Sequence, residues 1–136
     1  MRMTILTIVT LLAGVLLLGE KLYDSKNAAD FAAFIQQEDV QIVDVRTAEE
    51  IVEGYIDGAV NIDLSQKRFM RMAKSQLNRK FPVAVYCRSG RRSAVAAEKL
   101  AKSGYQVVNL DGGFLAWEQA KMPIVRPSAP CCADKH

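Results

Sequence analysis

Four strand-forming residues, Val83-Ala84-Val85-Tyr86, run into Cys87, and a loop containing Gly90 then leads into Ser93–Leu100, which reads as a helix. This strand–loop–helix order fixes the surroundings of the sulfur. At the end of a buried strand and the start of a helix, backbone N–H groups converge and the helix dipole favours negative charge. Arg88, Arg91 and Arg92 add three cations close in sequence. Both effects favour thiolate, the reactive form of cysteine. The alternative is an inert buried cysteine. That accounts for Cys87 and leaves three arginines and a glycine unexplained.

The rest of the chain repeats the alternation. Ser25 or Asn27 can cap a helix over 28–38, with Phe31, Phe34 and Ile35 on its core face. Residues 40–45 form a strand ending near Asp44 and Arg46. Thr47 with Glu50 makes a capping box for a short helix ending at Gly54. Residues 59–62 form a second short strand, and 63–80 read as helix, with Phe69, Met72, Ala73 and Leu77 inward. The basic residues of that segment (Lys67, Arg68, Arg71, Lys74, Arg79, Lys80) read as a solvated face, with docking to an anionic partner or membrane as the weaker reading. After the helix at 92–102, Gly104 is a stop signal. Residues 106–110 form a strand, Asp111-Gly112-Gly113 a turn, and 114–119 a helix carrying Trp117. Strands alternating with helices predict an α/β fold with a mainly parallel central sheet flanked by helices. In such sheets ligands sit beyond the carboxyl ends of the strands, which is where Cys87 falls.

The two ends of the chain look different. Residues 3–19 carry no charge, between Arg2 and Glu20-Lys21. Residues 1–22 are therefore expected to be an N-terminal hydrophobic helix, either a membrane anchor or a signal peptide, which places the domain outside the cytoplasm. Residues 23–126 form the domain, and Tyr23–Lys26 reads as a polar joint. From 127 onward the chain reads as a flexible tail. It carries Cys131, Cys132 and His136, with a thiol relay, a soft-metal site and an inert tail all open. The one histidine of the chain is thus its last residue. A Cys-His mechanism is excluded unless the tail folds back, and the nucleophile must be activated by charges and dipoles. The net charge of +3 is spread along the chain and gives no reason to expect nucleic acid.

Four segments in order resemble the signatures of single-domain rhodaneses. They are Asp44-Val45-Arg46-Thr47-Ala48-Glu49-Glu50, Glu53-Gly54-Tyr55-Ile56-Asp57-Gly58-Ala59-Val60-Asn61-Ile62, Val85-Tyr86-Cys87-Arg88-Ser89-Gly90-Arg91-Arg92-Ser93, and Leu110-Asp111-Gly112-Gly113-Phe114-Leu115-Ala116-Trp117. The resemblance spans about residues 27–122, with Tyr55 standing where the family usually has histidine. It implies a rhodanese-like domain and a sulfurtransferase that moves a sulfane sulfur, from a donor such as thiosulfate, onto Cys87 and on to a thiol or cyanide. Cys87 and Arg92 are then the expected catalytic residues, with Arg92 stabilising charge. Arg88, Ser89, Gly90, Arg91 and Ser93 would bind the donor, and Asp44 and Arg46 would support the loop. No metal or cofactor is expected, and a monomer is. The competing enzyme class, Cys-dependent phosphatase or arsenate reductase, places an arginine after five intervening residues. Here the sixth residue after Cys87 is Ser93, and Arg92 comes one place early. A non-catalytic sulfur-carrier or binding module is the third reading.

Overall fold

Short apolar runs separated by amphipathic segments are realised, in a computed structural model, as one sheet with helices on both faces. The structure describes residues 20–128. In chain order the elements are β1 (Asp24–Lys26), α1 (Ala28–Ile35), β2 (Gln41–Asp44), α2 (Ala48–Ile51), β3 (Val60–Asn61) and α3 (Phe69–Gln76). There follow β4 (Val83–Tyr86), α4 (Arg91–Lys102), β5 (Val107–Leu110) and α5 (Gly113–Gln119). The strands lie in the order β1-β5-β4-β2-β3, and every pairing is parallel.

Strand periodicity sorts the core into two layers. On one face Val43, Val83, Val85 and Val107 pack with Phe69 and Ala73 of α3 and with Ala96, Ala97 and Leu100 of α4. On the other, Ile42, Ala84, Tyr86 and Val108 pack with Ala28 and Phe31 of α1 and with Phe114 and Trp117 of α5. The central strands are therefore apolar at both parities, as parallel strands covered on both faces must be. Phe31 is fully buried and meets Trp117 edge-on, with ring centroids 6.2 Å apart. Phe34 and Ile35 pack at the margin of that layer.

Local chemistry explains the boundaries. Asn27, rather than Ser25, caps α1 by accepting from the Asp30 amide at 2.9 Å. Both hydrogen bonds of the Thr47–Glu50 capping box are present at α2, which ends at Ile51 rather than Gly54. Residues 63–80 are helical only over α3. The Asp63 carboxylate accepts from the amide and hydroxyl of Ser65, both at 2.8 Å, which turns the chain before the helix starts. At the far end Leu77 is extended and the Asn78 amide donates to Gln41 Oε1 at 2.7 Å. Residues 24–26, expected as part of a polar joint, form an edge strand instead. Asp24-Ser25-Lys26 has no apolar alternation to announce it, and β5 supplies its ladder. The apolar run 3–19, and with it the anchor or signal peptide, lies outside the described residues. Among the described residues no helix is long and apolar enough to cross a membrane.

A buried ion pair closes the C-terminal end of β2. Arg46 Nη2 lies 2.7 Å from Asp44 Oδ2, and the side chains are 3% and 1% exposed. The guanidinium also donates to the Gly54 carbonyl at 2.7 Å and stacks over Phe114, 4.3 Å from the ring centroid. Burial alone would lower the Arg46 pKa, but hydrogen bonding to Asp44 and its charge raise it overall. Removing one partner of a buried pair strands the other's charge, at a cost of about 3–5 kcal/mol. Arg46→Met is expected to lose stability on that scale, read as a fall in the urea midpoint. A loss below about 1 kcal/mol would mean that Asp44 finds water or another donor.

Candidate active site

Cys87 follows β4 directly and is fully buried on the α3/α4 side of the sheet, in the same layer as Val83 and Val85. The chain then turns sharply over residues 88–90. Gly90 sits at φ 97°, in the left-handed region, as the residue preceding α4. This turn brings the Gly90 amide 3.1 Å from Cys87 Sγ and the Ser93 hydroxyl 3.3 Å from it. Burial by itself would push the thiol pKa up. The Ser93 hydroxyl and the amides of Ser93, Gly90 and Ser89 outweigh it, and the Cys87 pKa falls below its ordinary value. The activating groups are therefore one hydroxyl and three amides of the loop and first turn of α4, with no histidine required.

The three loop arginines have different surroundings. Arg88 and Arg91 are exposed, and neither has a carboxylate within 4 Å among the described residues. Arg92 turns to α2, where its guanidinium clamps Glu50 bidentately at 2.8 and 2.7 Å. The same Glu50 carboxylate accepts from the Thr47 amide. The Arg92 hydrogen bond, working against partial burial, pulls the Glu50 pKa down to about 2. The Arg92 pKa is raised, first by Glu50 and further by the negative charge on Cys87. The Arg92 guanidinium is thus held by Glu50, and the hydrogen bonds to the sulfur come from Gly90 and Ser93. The Arg92–Glu50 pair is part-exposed, so its contribution is geometry more than stability.

The other wall of the loop is α5. The Phe114 amide donates to the Cys87 carbonyl at 2.8 Å and the Leu115 amide to the Arg88 carbonyl at 3.0 Å. These N–H groups belong to the first turn of α5 and have no partner within their own helix. So close an approach requires glycine at 113, where a Cβ would lie 2.4 Å from the Arg88 carbonyl oxygen and 2.7 Å from that of Cys87. Gly113 also has φ 63°. Asp44 and Arg46 sit across the sheet from Cys87, in the layer of Tyr86 and Phe114, and reach the loop only through α5.

The structure therefore gathers Cys87, Ser89, Gly90 and Ser93 around the sulfur, leaves Arg88 and Arg91 at the surface, and gives Arg92 to Glu50. Ser93 is fully buried against Sγ, so its contact is with the nucleophile. Glu50 was visible in the sequence only as half of a capping box. Its second role could be suspected only from its place in the first of the four signatures. The amides of Phe114 and Leu115 carry no side-chain signal; Gly112-Gly113 before the helix was the available one. Tyr55 pairs through its backbone with Val125 and takes no part in the site. Cys131, Cys132 and His136 lie outside the described residues. A cleft of about 640 Å³ lies at the opposite end of the sheet, lined among others by Lys21, Tyr23, Phe34 and Gln106.

Because the Ser93 hydroxyl donates to the sulfur, Ser93→Ala removes a stabiliser of the charged form. Iodoacetamide alkylation of Cys87, followed against pH, is expected to half-saturate at lower pH than an ordinary cysteine in the parent and at higher pH in Ser93→Ala than in the parent. An unchanged midpoint would leave the amides as sole activators.

The Rhodanese-like domain family model matches residues 27–120. A sulfurtransferase of Allochromatium vinosum is 40% identical over 91 residues, covering 66% of this chain and 82% of its own length. The thiosulfate sulfurtransferase GlpE of Shewanella oneidensis is 38% identical over 82 residues, covering 60% of this chain and 78% of its own. A rhodanese-related protein from Thermoplasma volcanium superposes with a TM-score of 0.69 at 34% identity, over 77% of this chain and all of that one (100%). The strand–cysteine–loop–helix unit, the buried sulfur ringed by amides, and these matches place the chain in the rhodanese-like domain family, with sulfurtransferases among its relatives.

Proposed function

We propose that the protein is a sulfurtransferase working through a persulfide on Cys87, with thiosulfate or a similar small anion as donor. The observation that carries this reading is the sulfur itself, buried yet acidified by the Gly90 amide and the Ser93 hydroxyl. The Cys87 thiolate attacks the outer sulfur of thiosulfate. The S–S bond of the donor breaks, sulfite leaves with the bonding pair, and the enzyme keeps a persulfide anion. Cyanide or a thiolate then attacks the outer sulfur, and Cys87 leaves as thiolate. No oxidant and no metal enters either half. The loop amides that hold the thiolate also hold the charge that moves outward onto the sulfane sulfur. Arg88 and Arg91, exposed at the rim, are the first cations that an incoming sulfonate meets.

The phosphatase reading needs an arginine free to grip three phosphate oxygens inside the cradle. Arg92, the nearest candidate in the count, is engaged at both terminal nitrogens by Glu50. That pairing supports sulfur transfer. The buried position of Cys87 likewise suits an enzyme that draws a small donor inward better than a module that displays its cargo.

Intact-mass measurement after exposure to thiosulfate is expected to show one added sulfur on the protein and none on Cys87→Ser, with thiocyanate formation lost in that variant. Thiocyanate formation that survives in Cys87→Ser would sink the mechanism. Hydrolysis of p-nitrophenyl phosphate at rates above those with thiosulfate would assign the loop to phosphate instead. Glu50→Gln is expected to raise KM for thiosulfate or lower kcat by about tenfold, the scale of a displaced positioning group, while the thermal midpoint moves little. A large fall in that midpoint with normal turnover would make the pair structural.

A further inference from the structure

Of the helices that start at the cysteine end of the sheet, two start with the wrong charge. α4 opens with Arg91 and Arg92, and α3 is preceded by Arg68 and holds Arg71 in its first turn. Neither helix has an acidic residue in its first turn or a side-chain cap. The dipole disfavours cations there, so helix stability does not explain them. The segment leading into α3 is fixed at this end because the Leu64 amide donates to the Val45 carbonyl at 3.1 Å, and the Val45 amide to the Tyr86 carbonyl, one residue before Cys87.

Lys67, Arg68, Arg71, Arg88 and Arg91 are all exposed, and none forms a salt bridge among the described residues. The unengaged carboxylates at this end are fewer: Asp30, Glu49 and Asp111 are exposed, whereas Asp63 is held by Ser65 and Glu50 by Arg92. A small dianionic donor can meet only the cations at the loop. Those preceding and opening α3 extend the positive field beyond such a donor.

We propose that this surface docks an acidic protein segment carrying the thiol that accepts sulfur from Cys87. The inference rests on the persulfide reading and names its acceptor. The acceptor thiolate attacks the outer sulfur of the Cys87 persulfide. The S–S bond to Cys87 breaks, a persulfide forms on the acceptor, and Cys87 returns to thiolate with no net oxidation. A thiol on an extended segment suits a sulfur that is itself buried. A lipid surface suits it less, because a bilayer laid on this end would cover the loop. Leu22 and Tyr23 border Gln106 and Val107 at the other end of the sheet.

The test uses the full chain loaded with thiosulfate and two synthetic acceptors, an oligoglutamate peptide ending in cysteine and its oligoglutamine counterpart. At low salt the acidic peptide is expected to take sulfur about tenfold faster, and the advantage should vanish in high salt. Reversing charge in the double variant Arg68→Glu, Arg71→Glu should abolish the advantage while thiosulfate-to-cyanide transfer stays unchanged. Glutamate suits those helix positions, so the fold is expected to hold. Equal rates for the two peptides, or a preference that survives the reversal, would overturn the proposal. So would co-sedimentation with phosphatidylglycerol vesicles in the absence of any peptide preference. Failure of transfer even to cyanide would instead bring down the persulfide reading on which this one stands.

Discussion

A sulfur removed from water can carry charge only if the protein replaces the hydration it has lost. That requirement organises this molecule. Cys87 sits at the end of a central strand, sealed by α4 on one side and by the first turn of α5 near its carbonyl, and the replacement comes from loop amides and one hydroxyl. Everything that orients those donors becomes part of the site. The left-handed turn at Gly90 aims one amide, the buried Ser93 aims the hydroxyl, and the amides of Phe114 and Leu115 hold the carbonyls of Cys87 and Arg88 from behind. Burial and activation pull the thiol in opposite directions, and activation wins because the donors are fixed before charge arrives.

Charge is graded outward from that point. Asp44 and Arg46 neutralise each other across the sheet, brace α5 and leave no net field. Arg92 is balanced by Glu50, and the charge on Cys87 adds to what raises its pKa. The unbalanced cations stand at the surface. Under the proposed reaction, an anion drawn to the rim by Arg88 and Arg91 is handed inward to neutral dipoles, which bind the moving charge without trapping the product.

Most of the fold was legible because it is written in periodicities. Val83–Tyr86 and 106–110 could be buried strands and little else, and the Thr47–Glu50 box marked a helix start to the residue. The edge strand Asp24–Lys26 was not legible, since its partner's backbone makes it a strand while its own side chains are exposed or half-exposed. The length of α3 was overread because apolar spacing continued past turns set by Asp63 and by Gln41, a residue far away in sequence. At the site, Cys87, Gly90 and the arginines announced themselves, whereas the division of labour among the arginines did not. Sequence spacing puts Arg92 beside the cysteine; only the fold puts Glu50 within its reach. The donors from α5 are backbone atoms, and no composition records where an amide points.

The contact between α5 and the cysteine loop bears on how the protein is made. Gly113, Phe114 and Leu115 lie more than twenty residues downstream of Cys87. During synthesis the strand and the cysteine emerge long before the helix that braces them. A nascent or truncated chain ending short of this helix carries a thiol whose loop has lost two of its anchors. The donors to the sulfur are already present upstream; what arrives late, with α5, is the bracing that fixes the strand end from which they are aimed.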